Sequence, residues 1–115
     1  MENQQIKTAQ ESEREIRDLS VRIVQFVDES NPGWVKSEFV DAEGHHHELV
    51  DKFPIFSEKM LDADSSYPVP GLVQCEVLAE WQDVQGRKVA RIRTIESTEG
   101  VSEFVVLSET LHHFA

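Results

Sequence analysis

The groups in this chain that could do chemistry are five histidines, one cysteine and a cluster of basic residues. Three histidines are consecutive, His45-His46-His47. In a strand, His45 and His47 point to one face and His46 to the other. Two imidazoles at that spacing can share a metal, with His112-His113 or a nearby carboxylate completing the set. A zinc site needs three or four ligands converging at about 2 Å, and no further spacing in the sequence fixes the remaining ones. His45 and His47 are therefore only weak metal candidates. The competing expectation is an exposed polar strand beside a turn, with no metal and no cofactor.

Three further stretches look chemical and are better read otherwise. Asp62-Ala63-Asp64-Ser65-Ser66 starts like a calcium loop. The sixth position is Tyr67 where glycine is required, and the twelfth is Val73 where a bidentate glutamate is required, so it is not an EF-hand. Cys75 could act as a nucleophile only in a thiolate-favouring setting. It sits among Val73, Gln74, Glu76 and Val77 in a strand-like run, which predicts a buried and inert thiol. Arg87, Lys88, Arg91 and Arg93 hold four of the eleven basic residues. They could grip a carboxylate or phosphate, but Glu76, Glu80 and Glu103 are placed to pair with them across strands. No phosphate loop, nucleophile elbow or metalloprotease motif occurs, so no enzymatic activity is expected.

The elements that position these groups are short β-rich runs: 21–27, 34–40, 45–51, 72–81, 87–95 and 101–107. Asp41-Ala42-Glu43-Gly44 and Asp83-Val84-Gln85-Gly86 both place Asp first and Gly fourth. Ser97-Thr98-Glu99-Gly100 is a weaker copy. An Asp at the first position accepts from the turn's own amides, and a Gly at the fourth takes φ > 0, giving a hairpin with a bulge. A bulged turn at 83–86 shifts the strand register by one against a two-residue turn. The odd residues of 73–81, Trp81 included, and the even residues of 90–94 read as the inward face.

Residues 1–20 are polar, with a thin stripe of Ile6, Ala9, Ile16 and Leu19, and predict a polar arm with one short N-terminal helix over 9–19. The expected fold is mainly β: a small antiparallel six-stranded barrel or strongly curled meander over 21–115, capped by that helix. One cysteine permits no internal disulfide, and no apolar run is long enough for a spanning helix. The first residues carry neither a basic nor an apolar leader region, so a cytoplasmic protein is expected.

Charge then selects among partners. The chain carries 22 acidic and 11 basic residues, a formal charge of −11. Phosphate backbones and anionic lipid both demand the opposite balance, so neither nucleic acid nor a membrane surface is an expected partner. Residues 28–65 alone hold ten acidic and three basic groups, a net −7. If their loops share one end of the barrel, Asp28, Glu29, Asp41, Glu43, Glu58, Asp62 and Asp64 form an acidic binding surface. Such a field speeds encounter with a basic protein. The expected function is a non-enzymatic acidic interaction protein, of a size and charge that suit a toxin-neutralising immunity-type protein. The alternative is a small barrel holding a metal ion or small ligand through its histidines and the 67–71 loop.

Overall fold

The computed structural model describes residues 15–113. Seven strands form one antiparallel sheet: β1 (Glu15–Asp28), β2 (Trp34–Val40), β3 (His46–Lys52), β4 (Val69–Gln82), β5 (Lys88–Arg93), β6 (Glu103–Leu107) and β7 (Leu111–His113). The order is β3-β2-β1-β4-β5-β6, with β7 also paired to β1. Two three-stranded meanders are thus joined back to back, and β1 pairs with β4 over nine positions from Glu15↔Val77 to Ile23↔Val69. The sheet curls into a half-barrel.

The expected N-terminal helix is not present where it can be seen. Residues 9–14 lie outside the described residues, but 15–19 are strand. Among the described residues the only helical pieces are 3₁₀ turns at Phe53–Ile55 and Ser108–Thr110. Leu19, Val21 and Ile23 alternate into the core, and long-range pairing with β4 decides the conformation over the weak local helix signals. The boundary between arm and domain drawn at residue 20 consequently falls inside β1.

All three bulged turns form as the sequence dictates. Gly44, Gly86 and Gly100 have φ of 86°, 83° and 80°, and each donates its amide to the carbonyl of the turn's first residue. The register at the 83–86 turn is the bulged one, Trp81↔Val89 and Glu80↔Ala90. A second irregularity between Val77 and Ala79 was not foreseen. It exchanges the faces of β4, so Val73 and Cys75 are buried inside while Trp81 turns outward and Glu80 turns in beside Ala90.

The core lies on the concave side, where Leu19, Ile23, Val35, Leu49, Val73, Ile92 and Val106 are fully buried. Each such side chain contributes about 1.5–3 kcal/mol by leaving water. One end is stoppered by Phe53, Phe56 and Leu61. The Phe53 amide donates to the Gly33 carbonyl and the Leu72 amide to the Phe56 carbonyl, both at 2.9 Å. Gly71 makes this approach possible, because a Cβ there would lie 3.0 Å from the Phe56 oxygen and 2.9 Å from Ile23 Cδ1. The sheet's two outer edges are tied together by backbone: Ala42 N–H to Val105 at 2.8 Å and Thr98 N–H to Glu48 at 2.9 Å. Those bonds leave no ladder of free amides at these points.

Candidate functional site

The strands separate the loops into two ends. β2 is seven residues long, so the 28–33 loop and the 41–45 turn stand about 20 Å apart along it. The seven acidic candidates are therefore divided. Asp41 and Glu43 belong to the turn end. Asp28, Glu29, Glu58, Asp62 and Asp64 belong to the two segments of the stoppered end, which the Phe53–Gly33 hydrogen bond holds together.

At the stoppered end a cleft of about 490 Å³ opens between these segments. Phe26, Phe53, Met60 and Leu61 give it an apolar wall, Glu29 and Asp62 are its charged lining, and no basic residue lines it. Met60 is 78% exposed, large for an apolar side chain, and Ile55, five residues before it, and Val27, next to Phe26, are about half exposed.

The carboxylates here have different occupations. Asp28 Oδ1 accepts from the amide and hydroxyl of Ser30 at 2.9 and 2.8 Å, and those bonds hold its carboxyl below the usual range. Asp62 Oδ1 accepts from the Asp64 amide at 2.9 Å, while its carbonyl accepts from the Tyr67 hydroxyl at 2.7 Å. Both shape their turns. Glu29, Glu58 and Asp64 have no side-chain partner among the described residues and remain available to another molecule.

The histidines do not assemble into one site. His47 Nε2 donates to Asp41 Oδ2 at 2.7 Å, and His45 Nδ1 stands 3.6 Å from the same oxygen. Asp41 Oδ1 accepts from the amides of Glu43 and His45 at 2.9 and 3.0 Å. Burial by itself raises the Asp41 carboxyl, but the bonds from His47, His45 and Glu43 and the imidazole's charge outweigh it, so the net displacement is downward. The His47 ring lies 4.7 Å from the Phe104 ring and 5.3 Å from Phe39. Its Nδ1 is buried with no partner. His47 is thus a plug in the seam between the two edges of the half-barrel, oriented by Asp41. His112 is bonded instead to Ser20 Oγ at 2.6 Å. No group of three or more metal-ligating side chains is gathered among the described residues.

The remaining candidates separate in the same way. The 67–71 segment is no open mouth: Tyr67 is tied to Asp62, and Val69–Gly71 pair with β1. Cys75 is buried, and burial pushes its thiol up to about 11, with the Asp18 carboxylate adding to the effect. Arg93 reaches Glu76 at 3.3 Å and Glu103 at 3.1 Å, and Lys88 reaches Glu80 at 3.8 Å. These are the cross-strand partners that the sequence offered. Arg87 closes its own turn through Asp83 Oδ2 at 2.9 Å and also donates to the Ala42 carbonyl at 2.9 Å.

Sequence reasoning missed a second cavity, of about 600 Å³, at the end of the sheet opposite the cleft. Arg17, Glu80, Arg87, Lys88, Glu109 and His113 are its charged and imidazole lining, beside Leu107 and Ser108. The signal available was the polar interruption of apolar stripes at Arg17 and Glu80, which only the β1–β4 register and the β4 bulge bring together.

No protein family, curated protein or solved structure matches the chain. No helix among the described residues is long and apolar enough to cross a membrane.

Proposed function

We propose that this chain is a non-enzymatic interaction protein whose stoppered end binds a basic protein partner, in the manner of a toxin-neutralising immunity-type protein. The observation that carries the reading is the cleft itself: an apolar wall of Phe26, Phe53, Met60 and Leu61 with Glu29 and Asp62 as its charged lining. Glu58 and Asp64 stand in the same segment as exposed charges. An apolar anchor flanked by Lys or Arg suits that surface. The charges steer encounter and set register. Each exposed pair adds about 0.2–1 kcal/mol, and a buried anchor side chain adds about 1.5–3 kcal/mol. Asp41 and Glu43, at the far end of β2, contribute to the long-range field and not to the contact.

The test is affinity capture from the native lysate at low and high salt, with the captured protein identified and its binding then measured directly. Met60→Ser and the triple charge reversal Glu29→Lys, Glu58→Lys, Asp64→Lys should each weaken binding by at least tenfold. Glu43→Lys, at the other end, should leave it within about twofold. Recovery of no basic protein, or a partner indifferent to both cleft variants, overturns the reading.

A further inference from the structure

The concave face of the sheet is apolar along most of its length and then becomes charged at one level. On β1 the inward positions run Arg17, Leu19, Val21, Ile23, of which only the first is polar. Arg17 pairs in register with Cys75, a core residue, and so faces the inside of the curl. On β4 the irregularity after Val77 turns Glu80 to the same side. On β5, Lys88 continues the face of Ala90 and Ile92, and His113 of β7 sits opposite Arg17. Arg17 and Glu80, with side chains 20% and 23% exposed, therefore occupy places that the strand pattern would fill with core side chains, while Lys88 and His113 stand at the exposed rim of the same level.

Charged groups partly withdrawn from water cost stability unless they are well paired, and here the pairing of Glu80 is loose. Arg17 forms an ion pair with Glu15 and stands 3.9 Å from Glu80, while Lys88 stands 3.8 Å from the same carboxylate. One carboxylate is shared by two cations, and neither contact is a direct hydrogen bond. His113 has no side-chain partner among the described residues, and Ser108 Oγ is buried without one. Local rules broken at one place, with a strand bulge aiming a side chain into it, mark a place kept for function.

We infer that this cavity binds a small ligand through an anionic group, a carboxylate or a phosphoryl group, held by Arg17, Lys88 and His113. Glu80 holds the two cations together in the absence of ligand and, with Glu109, accepts from hydroxyl or amino groups on the rest of the molecule. The volume of about 600 Å³ suits a molecule of metabolite size. In a chain of formal charge −11 this is a lining with three permanent cations, Arg17, Lys88 and the turn-bound Arg87, against the two carboxylates of Glu80 and Glu109. Arg17 and Phe26, the β1 residues of the two cavities, are nine positions and about 30 Å of strand apart. The site is accordingly independent of the cleft that receives the basic partner.

The experiment titrates inorganic phosphate and, separately, succinate into the full chain, following backbone amide shifts by NMR at constant ionic strength made up with sodium chloride. Saturable shifts confined to residues 15–19, 80–88 and 107–113 are expected with at least one of the two probes, and which probe saturates distinguishes phosphoryl from carboxylate ligands. Lys88→Gln, at a largely exposed position, should weaken that binding at least fivefold. Glu80→Gln should strengthen it at least twofold, a change of sign that a merely structural ion pair would not give. Loss of the Cys75 and Leu19 amide signals' native positions in either variant would show misfolding, in which case His113→Gln supplies the same comparison. Shifts that do not saturate, that scatter over the surface, or that respond equally to chloride overturn the inference, as does a Glu80→Gln variant that binds more weakly.

Discussion

Removing the Asp41 carboxylate should loosen the seam of the half-barrel by an amount that depends on pH in a defined direction. In Asp41→Ala three acceptor bonds disappear: those from the Glu43 and His45 amides and that from His47 Nε2. The two amides belong to exposed residues and regain water, so each loss costs about 0.5–1 kcal/mol. The imidazole nitrogen is enclosed between Phe39 and Phe104, and a bond there to a charged acceptor is worth about 1–2 kcal/mol. The sum is about 2–4 kcal/mol, or roughly 10 °C in the thermal midpoint of a chain this size. The folded-state carboxyl is displaced downward. The stabilisation is therefore fully present above the unfolded value, near pH 4, and is lost as pH falls through the lower folded value. Urea unfolding followed by circular dichroism should show wild type more stable than Asp41→Ala at pH 7, with the gap narrowing as pH falls below about 4. Hydrogen exchange at the Ala42 amide, which bridges to Val105, should accelerate in the variant. A gap below about 0.5 kcal/mol at pH 7, or one that stays unchanged to pH 2, would refute the role of Asp41 in holding the seam.

Three other outcomes follow from the same geometry. Gly71→Ala should destabilise by about 1–3 kcal/mol in denaturant titration, because its Cβ would meet the Phe56 carbonyl and Ile23 at about 3.0 Å. Cys75, with its thiol pushed up to about 11, should react with a disulfide reagent at pH 8 at least a hundredfold more slowly in the native chain than in urea. Arg93→Ala should cost under about 1 kcal/mol by thermal melting, since the guanidinium is half exposed where it bridges Glu76 and Glu103.

What could be read from residues alone was local. A turn with Asp first and Gly fourth states its own conformation, because the side chain closes the bonds and the glycine takes the left-handed φ; 41–44, 83–86 and 97–100 follow this rule. The partners of Lys88 and Arg93 were legible for a similar reason, since hairpin strands bring Glu76, Glu80 and Glu103 alongside, whereas Arg87 turns to Asp83 of its own turn. What was not legible depends on contacts distant in sequence. Nothing near Leu19 announces β4, fifty residues away, so Ile16 and Leu19 were free to look helical. The bulge after Val77 has no glycine to mark it, and missing it placed Trp81 inside and Glu80 outside.

The division of the acidic surface changes what its charge can mean. A net of −7 over residues 28–65 looked like one patch, but β2 carries Asp41 and Glu43 away from the rest, and turn chemistry occupies Asp28 and Asp62. On the proposed reading, contact with a basic partner falls mainly to Glu29, Glu58 and Asp64. A surface made only for solubility would have no need of an apolar cleft between those charges, since an exposed Met60 works against solubility. The pairing of an exposed apolar side chain with unpartnered carboxylates, both at the stoppered end, is what favours recognition over solvation.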